Sequence, residues 1–208
     1  MHDENLGRGR EEPARLIGER AKNLFETGQL LCSEAVLTVI NRGLGGGLPD
    51  EMAIRLGSAL AQGIGDSGCV CGALNGAALA LGLHLGRDSP GIRNGRNAMD
   101  SAGSLHDRFK ALFGATCCRV LTRKVKHDPK AHAQQCAEFT GKAAELAASL
   151  ILEKHAGLLD RADWDYLRKR DSRMGSKLKR LFGMAESNRD RLTYQEVEPP
   201  SHKDTKKK

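Results

Sequence analysis

The sequence predicts an all-α protein, a compact helical bundle followed by a basic, partly disordered C-terminal extension. Aromatic residues make up only 4% of the chain, so a core must be built mainly from Leu, Ala, Val and Ile. Segments rich in alanine and leucine, with few β-branched runs, favour helices. No strand pattern of convincing length occurs, and 208 residues suit one domain with extensions.

Composition along the chain divides it into three predicted regions. Residues 1–12 are predicted to form a disordered leader, residues 13–157 a helical domain, and residues 158–208 a basic helical or disordered extension. The net charge is +7, and residues 161–208 contribute 14 Lys/Arg against 8 Asp/Glu. The predicted core is therefore nearly neutral, and the basic character belongs to the extension, as is usual for charged tails.

The first half of the domain carries three helical patterns. Apolar residues recur at helical spacing over 14–26, and Gly28 is a plausible stop. A second helix is predicted over about 32–41. A glycine-rich loop then leads to Pro49, which opens a third helix.

The central segment is a helix that is apolar almost all round, over 73–85, which predicts a buried position. It is shorter than the roughly 20 apolar residues that cross a bilayer. Asp66 or Ser67 is a candidate cap. Gly72 and Gly76 are one turn apart, so they leave a face that another backbone or a cofactor can approach closely.

Three further helices are predicted downstream. Residues 93–113 form the first, which Gly114 ends. A short helix follows over 117–121. Asp128, as the cap, and Pro129, at the first helical position, begin a last core helix that runs to residue 152.

Six cysteines are the most distinctive residues: Cys32, Cys69, Cys71, Cys117, Cys118 and Cys136. The first residues are polar and resemble no secretory signal, so we expect a cytoplasmic location. In that reducing compartment, thiols more often bind metals or undergo redox chemistry than form structural bridges. A haem-attachment C-x-x-C-H motif and a phosphate-binding loop are both missing from the sequence.

Four of these cysteines are predicted to converge on one site. Cys32, Cys71 and Cys118 fall at predicted helix N-termini, and Cys136 lies two turns inside the last core helix. Four thiolates suit an iron–sulfur cluster or tetrahedral zinc, and helix N-termini offset their charge and favour a thiolate at Cys71. Two or more thiols can instead cycle between dithiol and disulfide.

The cysteines stand in a recognisable pattern. A C-G-A-x-x-G motif occupies residues 71–76, an earlier cysteine with an Ala-Val-Leu helix occupies 32–37, and a Cys-Arg-x-Leu element occupies 118–121. Cys136 follows, ahead of an alanine-rich helix. Over roughly residues 14–153 the chain resembles the redox-active proteins named for their C…GCAxxG…C…C pattern.

The resemblance implies a cytoplasmic, helical, redox-type domain, some of whose relatives are thought to hold an iron–sulfur cluster. It carries the cluster-binding and metal-ligand role onto Cys32, Cys71, Cys118 and Cys136, for electron transfer. Cys69 and Cys117 depart from the family pattern, and we expect them to be auxiliary thiols, either resolving cysteines or alternative ligands. No catalytic residue is predicted.

Two other functions remain open from the sequence. A metal-free thiol–disulfide protein or sensor would use the pairs Cys69/Cys71 and Cys117/Cys118. A zinc-stabilised interaction module would bind nucleic acid or an anionic membrane surface through the basic tail. A redox partner protein is expected but not identified, and an oligomer is possible.

Two histidines, His132 and His84, are further candidate ligands, and neither is expected to take part in the site. His132 lies four residues before Cys136 and shares its helical face, but in a polar first turn it is predicted to face solvent. His84, inside the apolar run, is predicted to be a hydrogen-bonded core residue rather than a ligand.

Overall fold

A computed structural model describes residues 3–90 and 96–176, with the side chains of 11–90 and 96–176. Every regular element within these residues is helical, which confirms the all-α prediction. The end of the predicted basic extension, residues 177–208, lies outside the described residues. None of the described helices has the length and apolarity that a membrane span requires.

The helices follow the predicted order. They are α1 (Asp3–Glu26), α2 (Cys32–Gly43), α3 (Asp50–Ser58), α4 (Gly72–Leu85), α5 (Arg96–Phe113), α6 (Cys118–Leu121), α7 (Pro129–Lys154), a 3₁₀ helix (Ala156–Arg161) and α8 (Trp164–Arg168). Helix α1 begins at Asp3 rather than near residue 14, so it includes most of the segment predicted as a disordered leader. Once a helix is nucleated, each added residue gains a hydrogen bond, which favours such an extension.

Helix α7 is the centre of the bundle and packs against α1, α2, α4 and α5. It crosses α1 at a pair of glycines, where a Cβ added at Gly18 would lie 2.8 Å from the Gly141 carbonyl oxygen. Four alanines beyond this crossing are fully buried: Ala143, Ala144, Ala147 and Ala148. Small residues thus let the helices approach closely, which is how a core with few aromatic residues reaches a high packing density.

The compact unit ends later than predicted, at Arg173 rather than at residue 157. Leu158, Tyr166 and Leu167 are buried and belong to the same hydrophobic core as α1, α2 and α7. The segment 158–173 is therefore held in the unit by apolar burial, although its charged residues resemble those of the extension.

The N-terminus of α2 packs directly against glycines of two other helices. A Cβ at Gly76 of α4 would meet the Ser33 backbone, with its Cα at 2.9 Å, and a Cβ at Gly57 of α3 would lie 2.9 Å from the Glu34 backbone. The Ser33 hydroxyl donates a hydrogen bond of 2.7 Å to the Gly57 carbonyl oxygen. The start of α2 is therefore fixed on both sides by backbone contacts.

Helix α4 is buried on most of its surface, in line with its apolar sequence. The exception is a face with Ala78 and Gly82, which borders a groove of about 580 Å³ between α4 and the α3 region. Near its end the His84 ring hydrogen-bonds the Ile40 backbone, and burial lowers the pKa of His84 to about 4. His84 is thus a partly buried, neutral residue at neutral pH, and its ring Nε2 has no hydrogen-bond partner within the described residues.

Replacing Gly76 with alanine should lower the free energy of unfolding by about 2–3 kcal/mol, because the new methyl group overpacks the Ser33 backbone. The control is Gly82→Ala on the same helix, where an added Cβ meets nothing within 4 Å. That substitution should raise stability by up to ~1 kcal/mol through helix propensity. Urea unfolding of both variants measures the difference, and equal effects would contradict the close contact.

Candidate redox site

Four of the six cysteines line a single cavity of about 640 Å³. They are Cys32, Cys71, Cys118 and Cys136. The remaining walls include apolar, polar and charged side chains: Phe25, Leu31, Gln62, Asp66, Arg119, Lys126, His132 and Phe139. The site therefore draws on α1, α2, α6, α7, the start of α4 and the loop that precedes it.

The fold delivers three of these thiols from helix starts. Cys32 is the first residue of α2, Cys118 is the first residue of α6, and Cys71 immediately precedes α4. Cys136 comes from inside α7, two turns after the cap at Asp128, whose carboxylate accepts from two backbone N–H groups. Cysteines as much as 104 positions apart in the sequence (136 − 32) thus line one cavity, because three helix starts meet at the side of α7.

Burial controls the protonation of these thiols. It raises the pKa of Cys71 to about 12 and that of Cys136 to about 12. It also raises the pKa of Cys32 and of Cys118. The prediction of a thiolate at Cys71 is therefore wrong for the free residue, because desolvation raises its pKa by more than the helix N-terminus lowers it.

Backbone amides oppose this effect at two of the sulfurs. Hydrogen bonds from the backbone of Gln62 and Ser33 lower the pKa of Cys32 against the larger effect of burial. The backbone of Leu74 and Ala73 acts in the same way on Cys71. These donors would stabilise negative charge on sulfur once a metal cation displaces the thiol proton.

The four thiols also act on one another. After burial, the charges of Cys118, Cys32 and Cys71 raise the pKa of Cys136, and those of Cys32 and Cys118 raise that of Cys71. Deprotonating all four together therefore needs compensating positive charge. Within the described residues, no group of three or more His, Cys, Asp or Glu side chains is arranged to hold a single metal ion.

A disulfide joins Cys69 to Cys117 beside the cavity. This differs from the predicted pairs, Cys69 with Cys71 and Cys117 with Cys118. The two segments lie side by side: the Cys71 amide donates to the Thr116 carbonyl at 2.8 Å, and the Arg119 amide donates to the Gly68 carbonyl at 2.9 Å. Pairing across the two segments leaves Cys71 and Cys118 free to face the cavity.

The loop before α4 has a left-handed backbone that the sequence analysis missed. Gln62, Ile64 and Asp66 have φ values of 55°, 47° and 65°, with glycines between them. Such values are rare for a β-branched residue. The glycines at alternate positions were the only signal in the sequence.

The left-handed loop before α4 explains why the predicted cap of that helix is wrong. Asp66 and Ser67 were candidate caps of α4, but the residue at its N-cap is Cys71, without a side-chain cap hydrogen bond. Asp66 instead lines the cavity, and its charge contributes to the raised pKa of Cys118, after burial and Cys32.

His132 also lines the cavity, which corrects the expectation that it faces solvent. Its ring Nε2 lies 3.9 Å from the Cys136 sulfur. The four-residue spacing on α7 was the signal in the sequence, and it brings the two side chains together on one helical face. His132 thus adds a ring nitrogen to the four thiols of the site. A neutral imidazole nitrogen can bind a metal or accept a proton.

Alkylation kinetics test the raised pKa values. At pH 8 the thiolate fraction of Cys71 and Cys136 should be about 1,000-fold lower than in the unfolded chain, so iodoacetamide should label them at least about 100-fold more slowly. Their labelling rate should rise about tenfold per pH unit from pH 8 to 10. Peptide mass spectrometry of native and guanidinium-unfolded protein measures this, and a pH-independent native rate would contradict it.

A comparison with protein families gives one match. The family described as "Putative redox-active protein (C_GCAxxG_C_C)" matches residues 30–150, more than half of the chain, and this region contains all six cysteines. No curated protein and no solved structure matches the chain. The family match confirms the resemblance that the cysteine motifs carried, and the chain belongs to the C_GCAxxG_C_C family of redox-active proteins.

Proposed function

We propose that Cys32, Cys71, Cys118 and Cys136 together ligate an iron–sulfur cluster and that the protein is an electron-transfer protein. The observation that carries this proposal is the lining of one cavity by four thiols from four separate elements. A bound cluster would supply a one-electron couple. Thiolate sulfur is the ligand type that iron–sulfur clusters select.

The arrangement of the donors favours a cluster over a single ion. A cluster is several atoms across, so its ligands surround a volume rather than a point. The four thiols border a cavity of about 640 Å³, and the described residues contain no group of three such donors arranged for one ion. The zinc-stabilised module stays a prediction.

The surrounding residues suit a charged sulfur site. Backbone donors at Gln62 and Ala73 would stabilise thiolate charge on Cys32 and Cys71. Phe25 and Phe139 supply apolar wall, which limits water at the sulfurs. Hydrogen bonding to sulfur and exclusion of solvent are two of the means by which a protein sets a cluster's reduction potential.

Binding of a cluster by the four thiols should depend on pH. The free thiols hold their protons because burial raises the pKa of all four, to about 12 for Cys71 and Cys136. Ligation requires these protons to leave, so it releases protons and becomes more favourable as pH rises.

The test is the iron and sulfide content of protein made and purified without oxygen. We expect a coloured protein with visible absorption, and loss of at least about 90% of the iron in Cys71→Ser or Cys136→Ser, because each removes a ligand. The matched control is Cys69→Ser/Cys117→Ser, which changes two cysteines outside the cavity and should keep most of the iron. A colourless protein after anaerobic iron–sulfide reconstitution would contradict the proposal.

The Cys69–Cys117 disulfide favours a second candidate, a metal-free thiol–disulfide protein. An external dithiol would reduce this bond with two electrons and two protons, yielding two protein thiols and a disulfide in the reductant. The four other cysteines are free, so the thiol count should rise from four to six on reduction and return to four under mild oxidant.

Thiol counting separates the two candidates. The Cys69→Ser/Cys117→Ser variant should hold four thiols under both conditions if the disulfide is the redox couple. If the wild-type count falls below four under mild oxidant, cavity cysteines are being oxidised as well, and the redox couple is not confined to Cys69 and Cys117.

A further inference from the structure

A cluster of unpaired cations lies at the mouth of the cysteine cavity. Five exposed basic residues fall within twelve positions of the chain: Arg119, Arg123, Lys124, Lys126 and Lys130, hereafter the basic rim. None of the five forms an ion pair within the described part of the chain. The one acid among them, Asp128, accepts hydrogen bonds from the amides of Lys130 and Ala131.

The basic rim is continuous with the site in both sequence and space. It begins directly after Cys118 and ends in the first turn of α7, the helix that carries Cys136. Arg119 and Lys126 themselves line the cavity, and Asp66 is the one acidic side chain among its described lining residues. An approaching group therefore meets a positive potential at the entrance to the thiols.

Exposed apolar side chains accompany these cations. Val120 is 54% exposed between Arg119 and the rest of the basic rim, and Ile64 is 53% exposed on the left-handed loop. The loop is joined to the basic rim where the Arg119 amide donates to the Gly68 carbonyl at 2.9 Å. Apolar residues surrounded by charge are the usual composition of a docking surface.

The backbone at Ile64 points in the same direction. Its φ of 47° is unfavourable for a β-branched residue, and the side chain gains little burial in return. A residue whose backbone is strained and whose side chain is exposed contributes little to the stability of the core. Strain kept in this way is typical of functional surfaces.

We propose that the basic rim, with Val120 and Ile64, docks an acidic one-electron carrier protein that exchanges electrons with the cysteine site. This inference rests on the proposed function. In each encounter the carrier loses one electron and the cysteine site gains one, with no bond formed between the proteins. Charge complementarity would steer the carrier to the cavity mouth.

A protein partner explains more of the surface than other anions do. Arg123, Lys124 and Lys130 are not among the residues that line the cavity, so a small anion bound within the cavity leaves these three charges unexplained. Exposed aliphatic side chains at positions 64 and 120 add little to the binding of a phosphate. Segment 119–130 contains no Phe, Tyr or Trp on which a nucleic-acid base could stack.

The test measures binding of the full chain to two acidic carriers, an oxidised plant-type ferredoxin and an oxidised flavodoxin, at 50 and 200 mM NaCl. Arg123→Glu/Lys124→Glu should weaken the Kd at least tenfold for a carrier that binds, and binding should weaken at the higher salt. The control, Lys154→Glu/Arg161→Glu, makes the same charge change on exposed residues. Lys154 lies about 36 Å from Lys130 along α7, and this control should stay within about twofold.

A further variant separates docking from folding. Ile64→Gly removes an exposed anchor and accommodates the positive φ, so it should weaken binding while raising the Tm. A structural role alone would move both properties together. Weakened binding with a lowered Tm would therefore count against the anchor.

Serine at all four cavity cysteines should leave the Kd within about threefold, so docking is measured independently of the cluster. Rim-dependent binding by the wild-type chain, if that chain holds no iron after anaerobic iron–sulfide reconstitution, would overturn the proposed function and support the docking surface. Equal binding by the rim variant and its control overturns the docking surface alone. Failure of both carriers to bind also overturns the docking surface. Tripolyphosphate serves as a small-anion probe, and its binding at the rim in place of either carrier would be one form of that result.

Discussion

The start of α2 lies against the side-chain-free face of α4, and both the core and the cysteine cavity depend on this contact. A Cβ at Gly72 would lie 2.5 Å from the Cys32 sulfur and 3.0 Å from the Leu60 carbonyl oxygen. The same close approach therefore closes the core and sets the position of the first thiol relative to Cys71. A single methyl group on this face would separate the two helices and, with them, two of the four sulfurs.

The electrostatics of the site follow from this packing. Helices that meet end to end bring amide donors to Cys32 and Cys71, but they also exclude the water that would solvate a thiolate. For the free thiols the effect of burial is larger than that of the amide donors, so the pKa of all four is raised. Cysteines of this kind are weak nucleophiles at neutral pH, because the thiolate is the reactive form. Their amide donors become effective only when a positively charged group replaces the protons, which is the situation in a cluster.

The sequence predicted the features that local periodicity and capping control. The helices, the Asp128 cap of α7 and the helix-start positions of Cys32 and Cys118 all follow from neighbouring residues. The Cys69–Cys117 bond could not be predicted, because it depends on how two distant segments lie side by side. The backbone of Ile64 runs against its local preference, so no propensity argument would find it. The burial that holds residues 158–173 in the compact unit is likewise set by tertiary packing.

The charge pattern separates what the fold needs from what it does not. Arg20 pairs with Asp171 at 2.9 Å in a nearly buried ion pair, and Arg42 binds Asp50 at 3.2 Å, so these cations help to hold the unit together. Within the part of the chain that the structure describes, the basic rim forms no ion pair, so no such pair offsets the mutual repulsion of its charges. Residues 1–160 have a net charge of only +1, so the rim is a local excess rather than a consequence of overall basicity. The docking surface that we propose would supply the missing negative charge from outside the chain, and it places the bound carrier beside the cavity that holds the four thiols.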